Sequence, residues 1–234
     1  MDQNNALNLQ LTKSQVSERD FISSVYFWMS AGLAMTGLVA WWMAASPNVV
    51  ISIMSNPVLF FGIMLTQIGL VVWLSAAISK IQVGTAVLGY SLYALLNGVL
   101  FSSIFLVYTA VSIATTFFVT AGTFAALSLY GYTTKRDLTS VGSFCFMALI
   151  GVILASIANL FLHNATLYWV VTYAGLAVFV GLTAYDVQRL KAIHQQGFQD
   201  HASLQKMALI GALRLYLDFV NMFLLLIRIT GRRR

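Results

Sequence analysis

Charge is what this chain lacks. Asp, Glu, Lys and Arg make up 9% of its 234 residues, against roughly 25% in an ordinary soluble domain, while 59% are apolar against roughly 45–50%. No Asp, Glu, Lys or Arg occurs from Phe21 to Ser79 (59 residues), from Ile81 to Thr134 (54) or from Leu138 to Tyr185 (48). Runs of that length exclude a water-soluble globule. A spanning helix takes about 20 mostly apolar residues at 1.5 Å rise each, so each run has room for two helices and a short turn, six in all. Cysteine is nearly absent too. The single Cys145 lies in an apolar stretch without an intrachain partner, which excludes a disulfide framework and a zinc pattern. The first twenty residues are polar and mixed in charge, without the basic start, short apolar core and small-residue site of a signal peptide, so no cleaved signal is expected.

The net charge of +6 and the pI near 9.6 do not point to nucleic acid. The basic residues stand singly between apolar runs or at the C-terminus, a pattern of membrane topology and not of a DNA footprint. Residues 1–20 read as a solvated tail, and the first helix is expected from about Ser24 to Ala45. A turn from Ser46 to Asn56 carries Pro47, and the second helix starts near Pro57, where a missing N–H costs nothing in the first turn, and reaches about Ile78. The third and fourth helices fill Gly84 to Val107 and Ala110 to Tyr132, divided at Tyr108-Thr109. The fifth and sixth cover Ser140 to Leu162 and Thr166 to Asp186, with His163-Asn164 between them, and a polar segment from Gln188 to Gln205 follows.

Loop charges orient these helices. With the N-terminus inside, the inner segments hold Lys13, Arg19, Lys80, Lys135, Arg136, Arg189, Lys191 and Lys206, and the outer turns hold none, so a cytoplasmic N-terminus is expected. Lys206 to Arg228 is long enough to cross, about 33 Å as a helix, yet contains Arg214, Asp218 and Asn221. Ionisable residues in a membrane usually face a bundle interior or a watery cavity. This helix is therefore expected at the centre, wrapped by the other six. A seventh crossing puts Arg228 and the basic tail Arg232 to Arg234 outside, against the positive-inside rule, and a re-entrant segment would keep them inside; the full crossing is preferred because early helices dominate that rule.

Two acids fall in the expected membrane segments, Asp186 in GLTAYDVQRLK and Asp218 in LRLYLDFVNMFLLLIR. Within hydrogen-bond distance they would share a proton and act as a pH switch, and their hard oxygens suit calcium. A structural reading stands beside this one. Arg214, four residues before Asp218, lies on the same helix face and can neutralise it, and Asp186, three residues before Arg189, can be a solvated helix end. Counting from Lys206 also places Asp218 about 18 Å along its helix but Asp186 only about 5 Å before Arg189, so contact requires the last helix to begin in the cytosol.

Other polar residues carry less. Gln67, Asn97 and Asn159 read as interhelical hydrogen-bonding groups, Tyr185 and Tyr216 as packing beside the acids, Gly151, Ala155 and Gly175 as helix contacts, and His163, His194 and His201 as loop histidines. An intramembrane aspartyl protease would carry Gly-x-Gly-Asp at the second acid, where this chain has Leu215-Tyr216-Leu217-Asp218. No catalytic residue is therefore expected, nor any bound cofactor.

At these residues the chain resembles the Bax inhibitor family, and its bacterial inner-membrane branch in particular. GLTAYDVQRLK at 181–191 and LYLDFVNMFLLLIR at 215–228 carry the resemblance, with LYGYTTKRDLT at 129–139 and FMALIGVILASIANLF at 146–161, in order along nearly the whole chain. It implies an all-α fold of seven transmembrane helices, the C-terminal one central between two three-helix layers, in the bacterial inner membrane. It also implies a pH-sensitive calcium leak gated by an aspartate pair, here Asp186 and Asp218. Characterised members latch the pair with an arginine on the second helix; the matching WLSAAISKI at 73–81 has none, leaving Lys80 as the nearest base, a point charge and not a bidentate fork. Gln67 stands where some relatives have glutamate, and Arg214 where many have a small or neutral residue. Asp186 and Asp218 are thus the expected gating residues and calcium ligands, with Arg214, Lys80, Gln67 and Asn221 as latch or modulating positions. The rival class is a non-conducting regulator binding other membrane proteins, such as a quality-control protease. Proton-coupled transport lacks the broken-helix pair and inverted repeat it would need. The expected surroundings are a lipid bilayer and no nucleic acid, with the oligomeric state open and a monomer compatible.

Overall fold

The computed structural model describes residues 3–195 and 201–234, apart from the side chains of residues 3–17 and 201. Eight helices follow one another: α1 (Gln3–Ala44), α2 (Pro47–Ser55), α3 (Pro57–Ala77), α4 (Val83–Val107), α5 (Ala110–Thr133), α6 (Thr139–Leu162), α7 (Ala165–Gln195) and α8 (His201–Thr230). Seven of them, all but α2, contain a stretch long and apolar enough to cross a membrane.

Three boundaries depart from the expectation. The turn at residues 46–56 winds into α2, with Pro47 in its first turn and Asn56 both ending it and capping α3 through Oδ1, which accepts from the N–H groups of Val58 and Leu59. The stretch expected as a solvated tail joins α1 from Gln3 onward. Helix α7 runs nine residues past Asp186 to Gln195, because Val187, Leu190 and His194 keep one buried face through the charged segment. His194 is thus a buried helical residue against Phe21, ring centroids 5.8 Å apart, and not a loop histidine.

Helix α8 is the axis of the bundle and packs against α1, α4, α5 and α7. Of its most apolar stretch 56% is buried, against 6% for α6, which packs on α7 and turns Phe144, Phe146, Met147 and Leu154 outward. Helix α3 packs chiefly on α2 and α4. The enclosure of α8 is therefore closest on four sides, with α3 and α6 as outer helices. Exposed apolar side chains on those outer faces would be unstable in water and are at home in hydrocarbon.

On one side of α8 the fully buried Tyr216 sets its hydroxyl 2.8 Å from Thr36 Oγ1 of α1, which donates in turn to the Ala94 carbonyl of α4 at 2.9 Å. The Tyr216 ring meets Tyr90 and Tyr93 edge to face, at 6.2 and 5.6 Å. Such hydrogen bonds contribute about 1 kcal/mol each net, and the ring pairs about 0.5–1.5 kcal/mol beyond burial.

The C-terminal backbone is pinned and not free. Thr109 N–H donates to Arg232 O (3.1 Å), Arg234 N–H to Val107 O (3.0 Å) and Arg232 N–H to Ser112 Oγ (3.0 Å). Residues 232–234, expected as a tail, therefore sit on the α4–α5 turn. The α5–α6 loop lies at the other end of the bundle, where it is tied to the end of α7. Helix α8 is continuous over 30 residues, about 45 Å, and runs the whole way between these ends, as a full crossing requires.

Candidate functional site

Asp186 is on α7 and Asp218 on α8, and the two helices pack together. Asp186 lies about 14 Å before the end of α7 and Asp218 about 26 Å into α8, so the difference of about 12 Å is taken up by the first turns of α8, which lie beyond the end of α7. The two carboxyls meet side chain to side chain within hydrogen-bonding reach. Asp218 is 4% exposed, and its Oδ2 is buried with no donor reaching it. Ionised carboxylates only accept, so a hydrogen bond between the two would need a proton on one of them.

Local packing sets the pair in place. A Cβ on Gly131 of α5 would strike the Ala184 carbonyl oxygen, a backbone atom that cannot move aside, so glycine there lets α5 approach α7 two residues from Asp186. A Cβ on Gly142 of α6 would come within 2.5 Å of the Tyr185 ring. Beyond Asp186, Gln188 Oε1 accepts from Leu138 N–H and its Nε2 donates to the Arg136 carbonyl, both at 2.8 Å, which clips the α5–α6 loop to α7. Lys191 adds a contact over the Tyr132 ring, 4.9 Å from its centroid. In that loop the carboxylate of Asp137 is held below the usual range by the hydroxyl and backbone N–H of Thr139, the latter at 2.9 Å.

Arg214 pairs across the helices with Asp186, Nη1 to Oδ1 at 3.8 Å. Asn221, one turn beyond Asp218, donates Nδ2 to the Leu217 carbonyl at 2.8 Å. Gln67 is buried on α3 with its Nε2 lacking a partner, and Lys80 is exposed just past the end of α3; neither lines the cavities around the acids. The arrangement thus gathers Asp186, Asp218, Arg214 and Asn221, and leaves Gln67 and Lys80 apart. Asn97 bonds the carbonyl of Tyr93 in its own helix, and Asn159 Oδ1 accepts from Asn164 N–H at the α6–α7 turn, so neither bridges helices through these bonds. Gly151 faces open space, unlike Gly175, whose added Cβ would meet Leu225 at 3.3 Å.

Three cavities follow one another along α8. The first, about 340 Å³, is lined by Asp186, Arg189, Ile193, Met207, Gly211 and Arg214. The second, about 930 Å³, is a groove between α6 and α8 floored by α7, and it takes in Asp186, Asp218, Asn221 and Arg228. The third, about 540 Å³, holds Asn159, His163, Asn164, Tyr168 and Arg228. Asp186, Arg189 and Arg214 line both of the first two, and Ser156, Val171 and Arg228 both of the last two. The acid pair therefore stands near one junction of a series that runs from the loop end of α7 to the α6–α7 turn. Two carboxylates cannot complete the six to eight oxygens calcium takes, and Arg214 beside Asp186 opposes a resident cation. No group of three or more His, Cys, Asp or Glu is assembled among the described residues.

A family model described as "Inhibitor of apoptosis-promoting Bax1" matches residues 18–234. The chain is 51% identical over 215 residues to "Inner membrane protein YbhL" of Escherichia coli strain K12, 92% of each chain being covered. It is 42% identical over 214 residues to an uncharacterized protein of Borreliella burgdorferi, again covering 92% of each. With "Uncharacterized protein RP147" of Rickettsia prowazekii the identity is 38% over 224 residues, covering 92% of this chain and 91% of that one.

Proposed function

The chain belongs to the Bax inhibitor family and is a multi-pass inner-membrane protein, and from that membership and its site we propose that it is a pH-sensitive leak for calcium or a similar cation, gated by Asp186 and Asp218. The observation that carries this reading is the pair itself, one acid buried with an oxygen no donor reaches, next to a junction between two cavities. With one proton between them and Arg214 alongside, the cluster is neutral and holds α7 to α8. Loss of that proton leaves two like charges in contact, which at about 4 Å repel by ~4 kcal/mol at an effective dielectric near 20. The helices then part and water reaches the groove, so cation flux rises with pH. A cytoplasmic N-terminus is supported by Arg19, Lys80, Lys135, Arg136, Arg189 and Lys191, which lie toward one end of the helices, against Arg228 and the C-terminal arginines at the other.

A second reading, a non-conducting regulator that binds other membrane proteins, draws on the Arg214–Asp186 contact, since an arginine beside an acid neutralises it for structural reasons alone. The two readings separate on purified protein in liposomes loaded with a calcium indicator. Flux above empty liposomes supports the leak. Folded protein without flux, whose pull-down partners are the same with and without both acids, supports the regulator.

A further inference from the structure

Arg228 is exposed on the last turns of α8, and its guanidinium lies over the Tyr168 ring, 5.1 Å from the centroid. Stacked in this way it leaves its N–H edges open for a planar, two-pronged acceptor. No carboxylate answers it: the one ion pair among the described residues is that of Arg214 with Asp186. Arg232, Arg233 and Arg234 are exposed at the same end, pinned there by the contacts with the α4–α5 turn, and no described Asp or Glu lies at that end. An arginine at the edge of the hydrocarbon reaches for the interface, where an anion or water meets it.

The groove that ends at Arg228 is open sideways, because α6 packs on α7 and leaves a gap to α8. Between Arg228 and Asp218 its walls are mostly apolar, with Val152, Ile153, Phe179, Leu224 and Leu225 beside the polar Ser156 and Asn221. The ten residues separating Arg228 from Asp218 span about 15 Å, half of the roughly 30 Å hydrocarbon core and so one leaflet's depth. At the Arg228 end the groove runs into the crevice of about 540 Å³ that carries Asn159, His163 and Asn164, groups suited to phosphate and glycerol oxygens.

We propose that this groove binds one anionic phospholipid of the bilayer, its phosphate on Arg228 in the crevice and one acyl chain lying along α8 toward Asp218. Charge selects the lipid: the end is cationic throughout its described side chains, and each nearby arginine favours an anionic headgroup by about 1 kcal/mol, a factor of about five. The inference goes beyond the conduction reading and does not depend on it, since binding is read without flux.

The test uses the full chain in a non-ionic detergent. Phosphatidylglycerol, phosphatidylcholine with the same acyl chains, and sodium phosphate are titrated separately, and lipid retained per protein is counted by native mass spectrometry alongside the melting temperature. One retained phosphatidylglycerol with a preference of about fivefold or more over phosphatidylcholine is expected. Arg228→Gln should lower that preference by about fivefold, and Arg228→Lys should keep part of it. Ser156→Trp, which fills the junction of groove and crevice, should lose retention. Equal retention of the two lipids, or a preference unchanged in Arg228→Gln, overturns the proposal. Sodium phosphate that stabilises the protein as well as the lipid and displaces it also overturns it, in favour of a free-anion site.

Discussion

Arg214 sits 3.8 Å from Asp186 on the neighbouring helix, although Asp218, four residues further along its own helix, is the acid its spacing offers. The arginine therefore bridges α7 and α8, and Asp218 is left to Asp186. Two acids with one base between the helices make a cluster whose net charge changes from zero to minus one with a single proton.

Replacing Arg214 by Gln removes a charge that favours the doubly ionised pair. Calcium flux at neutral pH is expected to fall, and the rise of flux with pH to begin later. The Arg214 side chain is 39% exposed, so the ion pair itself contributes less than about 1 kcal/mol, and the melting temperature should move by no more than about 2–4 °C. A large loss of stability with an unchanged flux profile would make Arg214 a structural member only.

Gly131 and Gly151 give opposite expectations on the two outer faces of α7's neighbours. Gly131→Ala drives a Cβ into the Ala184 carbonyl and should destabilise by about 1–3 kcal/mol, the range for overpacking. Gly151→Ala meets nothing within 4 Å and should be neutral or stabilising by up to about 1 kcal/mol. Thermal melts of both variants in one detergent check the contrast.

Seven spans and both acids were legible because charge is so sparse that each charged residue marks either a loop or a site. Asp186 and Asp218 stand out on that ground alone. The end of α7 was not legible from mean hydropathy, since Gln188, Arg189 and Lys191 read as the start of a polar segment; the spacing of Val187, Leu190 and His194, all buried, holds the signal that could have extended it. Arg228 read only as a conflict with the positive-inside rule, because the cavities it lines depend on how far α6 stands from α8. Gln188 stands within the GLTAYDVQRLK block, but its role as a clip follows only from where the α5–α6 loop lands.

Asp137 gives a pH dependence with a definite sign. Its carboxylate is held below its ordinary value by the hydroxyl and backbone N–H of Thr139, so it contributes stability above the unfolded value, near 3.8, and that contribution is lost as pH falls through the lower folded value. Asp137→Ala should thus lower the melting temperature at pH 7. The difference from the native chain should close under acid conditions, in melts recorded from neutral pH down to about pH 3. A difference that persists unchanged in acid would mean the loop is held by other contacts.

The most direct test of the aspartate gate is calcium flux into proteoliposomes across a pH range spanning neutrality, for the native chain, Asp186→Asn and Asp218→Asn. In either variant the amide can donate to the remaining carboxylate, which imitates the proton-sharing state and cannot lose it. The account predicts that native flux rises with pH and that both variants show low flux that no longer responds to pH. Variants that reproduce the native pH profile would contradict it, and would leave Asp186 and Asp218 as structural partners of Arg214.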